Sequence, residues 1–148
     1  MLERYMRPST EEDCAYVASN IRPEDREEVV ACGFDPFPAL MLGLIESQVS
    51  YTLIGPDGLP CAMLGVVPGG RVWLLGTPGI ETHSRTFLRY SKQALAYLYE
   101  RTGEPLLHNY THAANKVHHR WLKWLGFSFL RTVSINDHNF IEFARFRS

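Results

Sequence analysis

The sequence predicts a mixed α/β domain, with a central twisted mixed sheet of about six to seven strands flanked by about four to five helices. Three observations predict it. Between residues 49 and 76, short β-branched and apolar runs are separated by Gly- and Pro-rich turns, the pattern of an antiparallel meander. Two later segments, 84–100 and 112–125, repeat apolar residues at three- and four-residue spacing, as amphipathic helices do. Between them lies a short strand, so the stretch 71–110 reads strand, helix, strand and calls for a parallel pair with a right-handed crossover. The 148 residues suit one domain spanning 1–148.

Taken in order, residues 4–8 form a first strand that Pro8 ends. Ser9 and Glu12 have capping-box spacing, and Ser9 or Thr10 caps a helix that runs to Ser19. A second helix restarts at Arg22-Pro23-Glu24-Asp25, with Pro and acids in its first turn, and ends at Gly33. Residues 34–38 read as a loop and 39–47 as a third amphipathic segment. The meander follows: 49–54, the turn Gly55-Pro56-Asp57-Gly58, 60–67, the turn Pro68-Gly69-Gly70, and 71–76. Residues 77–83 read as a loop. Ser84 is the expected N-cap of the crossover helix and Gly103 its end. A strand at 105–110, a helix at 112–125 stopped by Gly126, and two strands at 127–133 and 140–146 complete the chain.

Composition excludes several classes. The formal net charge is -1, too balanced for charge alone to predict nucleic-acid binding, with a local basic patch left open. The first residues carry no apolar signal run, and no stretch has the roughly 18 apolar residues of a span, so a cytoplasmic protein without a membrane partner is expected. Cys14, Cys32 and Cys61 are widely spaced and read as buried thiols. His108, His112, His118 and His119 do not share ligand spacing, since adjacent helical residues point about 100° apart, so no metal is expected.

The element order, the opening Arg7-Pro8 with Asp13, and the spacing of Asn115, Gly126 and Phe127 resemble the GNAT (GCN5-related) N-acetyltransferases. The stretch 20–29 further resembles the small GNAT-like chains of T7-like bacteriophages, of the internal virion protein A type. The family resemblance implies a GNAT-like fold, acetyl-CoA as co-substrate, and an amine acceptor that the residues do not identify. It also implies a gap between two diverging strands that holds the pantetheine arm, with backbone groups of Leu74, Leu75 and Gly76 as partners. The phage resemblance implies an alternative, a catalytically degenerate protein of the virion, with phage structural proteins as partners and either host cytoplasm or virion as location.

Two departures from the family pattern bear on chemistry. The loop expected to hold the pyrophosphate reads Glu81-Thr82-His83-Ser84-Arg85-Thr86, with Ser84 and Thr86 where the family has Gly. Ser and Thr obstruct the close backbone approach that Gly allows, whereas His83, Arg85 and Arg89 supply positive charge. A modified cofactor loop and a plain helix start with a solvated Arg face both fit these residues. The tyrosine that protonates the thiolate in many family members is replaced by Leu122. Tyr110, His118 and His119 are substitute candidates. His108 is the candidate general base, or else a structural His in a half-buried strand. Asn109 and Asn115 are candidates to bond the cofactor's amide or phosphate groups, and Asn115 otherwise starts a helix.

Overall fold

The computed structural model describes residues 2–148. Leu2–Arg4 form one 3-10 turn. The strands are β1 (Met6–Pro8), β2 (Val49–Ile54), β3 (Pro60–Val67), β4 (Arg71–Gly76), β5 (Leu106–His112), β6 (Ser128–Ile135) and β7 (His138–Phe146). The helices are α1 (Glu11–Ser19), α2 (Pro23–Ala31), α3 (Pro36–Glu46), α4 (Gly79–Thr82), α5 (Ser84–Thr102) and α6 (Lys116–Trp124). The strands form one sheet in the order β1-β2-β3-β4-β5-β7-β6. Every neighbouring pair is antiparallel except β4 and β5, which run parallel as the crossover requires.

Side-chain alternation divides the core between the two faces. Leu64, Val66 and Leu107 join Phe87, Leu95 and Leu98 of α5 and Leu122 of α6 on one face. Met63 and Leu75 join Cys14 and Val17 of α1, Val29 of α2 and Leu40 of α3 on the other.

Several boundaries differ from the sequence expectation, each for a local reason. The capping box is Thr10 with Asp13, one residue beyond the Ser9 and Glu12 spacing, because the Ser9 hydroxyl pairs with Thr52. α3 starts at Pro36, inside the expected loop, since Pro suits the first helical turn. The expected loop 77–83 contains α4, anchored by the buried Ile80. His83, not Ser84, is the N-cap of α5, and it makes no side-chain cap bond. β5 runs on to His112, and α6 begins only at Lys116. Trp124 is exposed beneath Lys92, whose ammonium lies 4.3 Å from the ring centre. Cys14 and Cys61 are buried as expected, whereas Cys32 is half-buried.

Asp13 ties three elements together. Its carboxylate accepts from Arg7 (2.7 and 2.8 Å), the Thr10 backbone N–H (3.0 Å) and the Thr52 hydroxyl (2.8 Å). Burial pushes its pKa up, but these donors outweigh burial and hold it below the ordinary carboxylate range. Its contribution to stability is therefore present above the unfolded-state pKa and is lost as pH falls through the depressed value. Asp13→Ala is expected to cost about 1–3 kcal/mol at neutral pH in urea unfolding, because the buried Thr52 hydroxyl loses an acceptor and the exposed Arg7 its ion pair.

Candidate functional site

The centre of the sheet is open. β4 and β5 are joined by a single bridge, Arg71 to His108, through the His108 N–H and the Gly70 carbonyl (2.9 Å). Gly70 permits this contact, since its φ is +95° and a Cβ there would collide with the Leu106 carbonyl. Beyond the bridge the strands part. In an antiparallel ladder, alternate residues bond to the same neighbour. The Thr77 N–H donates to Cys61 of β3, so Leu75 and Trp73 also bond to β3, and Val72, Leu74 and Gly76 turn their backbones toward β5. On β5, Pro105 and Ala113 bond across to β7, so His108, Tyr110 and His112 turn toward β4.

Side chains tie both ends of this gap. At the narrow end, Asn109 donates from Nδ2 to the Val72 carbonyl (2.7 Å) and accepts the Tyr110 N–H at Oδ1 (2.8 Å). At the wide end, two acids of α2 reach the parted strands. Asp25 accepts the Gly76 N–H (2.8 Å), the Asn115 amide (2.8 Å) and the Arg22 guanidinium (3.0 Å). Glu28 accepts the Thr111 hydroxyl (3.0 Å) and the His112 N–H (2.6 Å). His118 of α6, on the opposite face, brings Nδ1 to 3.9 Å from Glu28 and 3.4 Å from the Thr111 hydroxyl. The Leu74 N–H and C=O and the Tyr110 C=O lie between the two tied ends, along the open length.

The wide end is buried and charged. Asp25 is 1% exposed and Glu28 9%. Burial, the largest influence, pushes the Glu28 carboxyl above the ordinary carboxylate range, against the pull of His118 and the His112 N–H. His119 is buried, donates from Nε2 to the His112 carbonyl (3.0 Å), and is held by burial below the usual imidazole value. Asp25, Glu28 and His118 bring potential metal-ligand atoms within 4.8 Å of one another. Arg22 and Asn115 already occupy Asp25, so a cation there would have to displace an ion pair.

A cavity of about 360 Å³ opens along this gap and is lined from both faces of the sheet. Phe87, Ala94 and Trp121 line it from the α5–α6 side, and Val29, Ala39 and Leu42 from the α2–α3 side. Glu28, Leu74, Asn109, Tyr110 and His118 all reach it.

The structure distributes the residues singled out in the sequence. Leu74 faces the gap as expected. The Leu75 backbone does not, because it completes the ladder to β3. Both backbone groups of Gly76 are taken, by Asp25 and by the Arg22 N–H (2.8 Å). His108 lies at the closed end, its Nε2 against the Gly69 carbonyl (3.1 Å) and outside the cavity lining, so the expected general base is remote from the open length. Tyr110 does line it. Asn115 is fully buried at the start of α6 and spends its amide on Asp25, so it cannot present that donor to a solvent-side phosphate. Its Oδ1 has no partner among the described residues.

Ser84, Arg85 and Thr86 form the first turn of α5, where backbone N–H groups have no partner within the helix. His83 is engaged by Asp57 across 3.3 Å. Glu81 pairs with Arg22 (3.3 Å). Leu122, in the position of the missing tyrosine, is core. Asn109, a candidate cofactor ligand in the sequence, ties the narrow end instead, and Glu28 is the gap residue that the sequence did not single out. The stripe Asp25, Glu28, Val29, Cys32 has helical spacing, and its apolar members mark Glu28 as inward-facing.

No family model matches the chain, and no curated protein matches it. Solved structures do. A structure of AAC(6')-Ib in complex with ribostamycin and coenzyme A superposes with TM-score 0.72 at 15% identity, covering 97% of this chain and 93% of that one. Spermidine N-acetyltransferase from Vibrio cholerae in complex with CoA and spermine gives 0.67 at 11% identity, covering 95% and 94%. At these identities what is shared is the fold, and it is the GNAT fold that the sequence resemblance implied.

Proposed function

We propose that the chain is an N-acyltransferase that moves the acetyl group of acetyl-CoA to an amine. The observation that carries the reading is the parted β4–β5 pair, with free main-chain groups of Leu74 on one wall and the buried carboxyl of Glu28 at the wide end. The residues fit an extended, mostly apolar arm. The cavity wall is aliphatic and aromatic, and the Leu74 amide offers one donor and one acceptor to an amide-bearing chain. The start of α5, with Arg85 and Arg89 exposed, offers the phosphate end its donors. Acetyl-CoA supplies an activated acyl carbon.

The chain's own residues do the rest. Glu28, once ionised, takes a proton from the acceptor ammonium. The freed amine nitrogen bonds to the acyl carbon as the carbon–sulfur bond breaks. The departing thiolate takes a proton from water, or from the Tyr110 hydroxyl at the cavity wall, since Leu122 has none to give.

A second reading, the non-catalytic scaffold with phage structural proteins as partners, is favoured by Ser84 and Thr86 in place of glycines and by the side chains that tie both ends of the gap. Calorimetric titration with acetyl-CoA separates the two. The acyltransferase reading expects saturable heat with a micromolar Kd; the scaffold expects none.

A further inference from the structure

The α2–α3 side of the cavity is mostly apolar, and its acid Glu28 faces the His118 ring at 3.9 Å. The chain bends by 75° between α2 and α3. Phe34, Ala39 and Leu42 line the cavity mouth on this side, with Phe34 49% and Leu42 41% exposed. The Trp73 ring lies below them, flat enough on α3 that a Cβ on Gly43 would meet it at 2.7 Å, and its Nε1 donates to Ser47 (2.8 Å). Two other charges reach this lining, Glu46 and Arg71, and they face each other across 3.9 Å. Asp25 is neutralised by Arg22. Glu28 remains, held by a hydroxyl and an N–H and facing His118.

From this arrangement we infer that the acceptor is a primary monoamine on an aromatic or alkyl body, with its nitrogen at Glu28 and its body against Trp73, Phe34 and Leu42. One carboxylate pairs with one ammonium. An amine with several distant ammonium groups would have to leave the others against apolar walls, which is unfavourable. A small apolar body gains by covering the exposed side chains at the mouth.

The inference rests on the acyltransferase reading, and the test separates the two. Acetyl-CoA binding is measured first by calorimetry; absence of binding removes the acyltransferase reading and this inference with it. With binding established, thiol release is followed with phenethylamine, hexylamine, spermine and ribostamycin. The expected result is kcat/KM at least about tenfold higher for phenethylamine and hexylamine than for the two polyamines. Leu42→Asp is expected to lower kcat/KM for phenethylamine about tenfold, with acetyl-CoA affinity and melting temperature held. Equal or better turnover of spermine or ribostamycin, or no turnover of any amine by a protein that binds acetyl-CoA, overturns the inference. So does a Leu42→Asp variant that folds, binds acetyl-CoA and turns over phenethylamine as the parent does.

Discussion

Glu28→Gln is expected to lower kcat/KM for amine acetylation by roughly 100- to 10,000-fold, the range a positioned general base contributes. The substitution keeps shape and an acceptor oxygen for the Thr111 hydroxyl and the His112 N–H, so the parted strands stay where they are. Acetyl-CoA affinity should be unchanged. The pH profile identifies the role. In the parent, the rate rises as Glu28 loses its proton, above the ordinary carboxylate range because burial favours the neutral form. That limb should vanish in the variant. Stability moves the other way. The folded state holds this proton more tightly than the unfolded chain does. The carboxyl therefore contributes stability below its unfolded pKa, which is lost as pH rises through the raised value. Above that value Glu28→Gln should be the more stable protein. A variant with parent-like kcat/KM and an unaltered profile would remove Glu28 from the chemistry.

Asp25→Ala should produce the largest loss of stability. Asp25 is the shared acceptor of a buried guanidinium, a strand-end N–H and a buried amide. Its removal leaves the Gly76 N–H and the Asn115 amide without partners. It also strips Arg22, 3% exposed, of its most deeply buried counter-ion. The expected cost is about 3–5 kcal/mol. For a chain of this size that corresponds to a fall in Tm of roughly 6–20 °C. Asp25→Asn keeps an oxygen for Gly76 while giving up the charge, so it should lose less. Thermal unfolding of both variants at neutral pH checks the order. Equal stability of Asp25→Ala and the parent would show that Glu24 and Glu81 alone suffice for Arg22.

The meander was legible because its turns declare themselves. Gly55-Pro56-Asp57-Gly58 and Pro68-Gly69-Gly70 bracket β3 at the bounds expected from them. The crossover was legible because Phe87, Leu95 and Leu98 repeat at helical spacing and Gly103 takes a left-handed φ of 70°. α4 was not, since four residues are too few to show a period. The functional gap was half legible. Leu74 followed from the family resemblance together with the placement of β4. Asn109 stood out as a candidate ligand, but its bond to Val72 did not, and Glu28 stayed hidden because its partners lie more than eighty positions away. His108 looked like a base because a strand position says nothing about which end of a gap it occupies. Asn115 read as a ligand because its amide partner, Asp25, lies ninety residues earlier in the chain.

One main-chain bridge across the middle of a seven-stranded sheet has a mechanical consequence. The molecule is two half-sheets riveted at one point, with side-chain latches where further rungs would be. A guest that bonds to Leu74 on one bank and to Tyr110 on the other would act as the absent rung. Its occupancy would then brace the protein as a whole, since whatever binds only the folded form shifts the balance against unfolding.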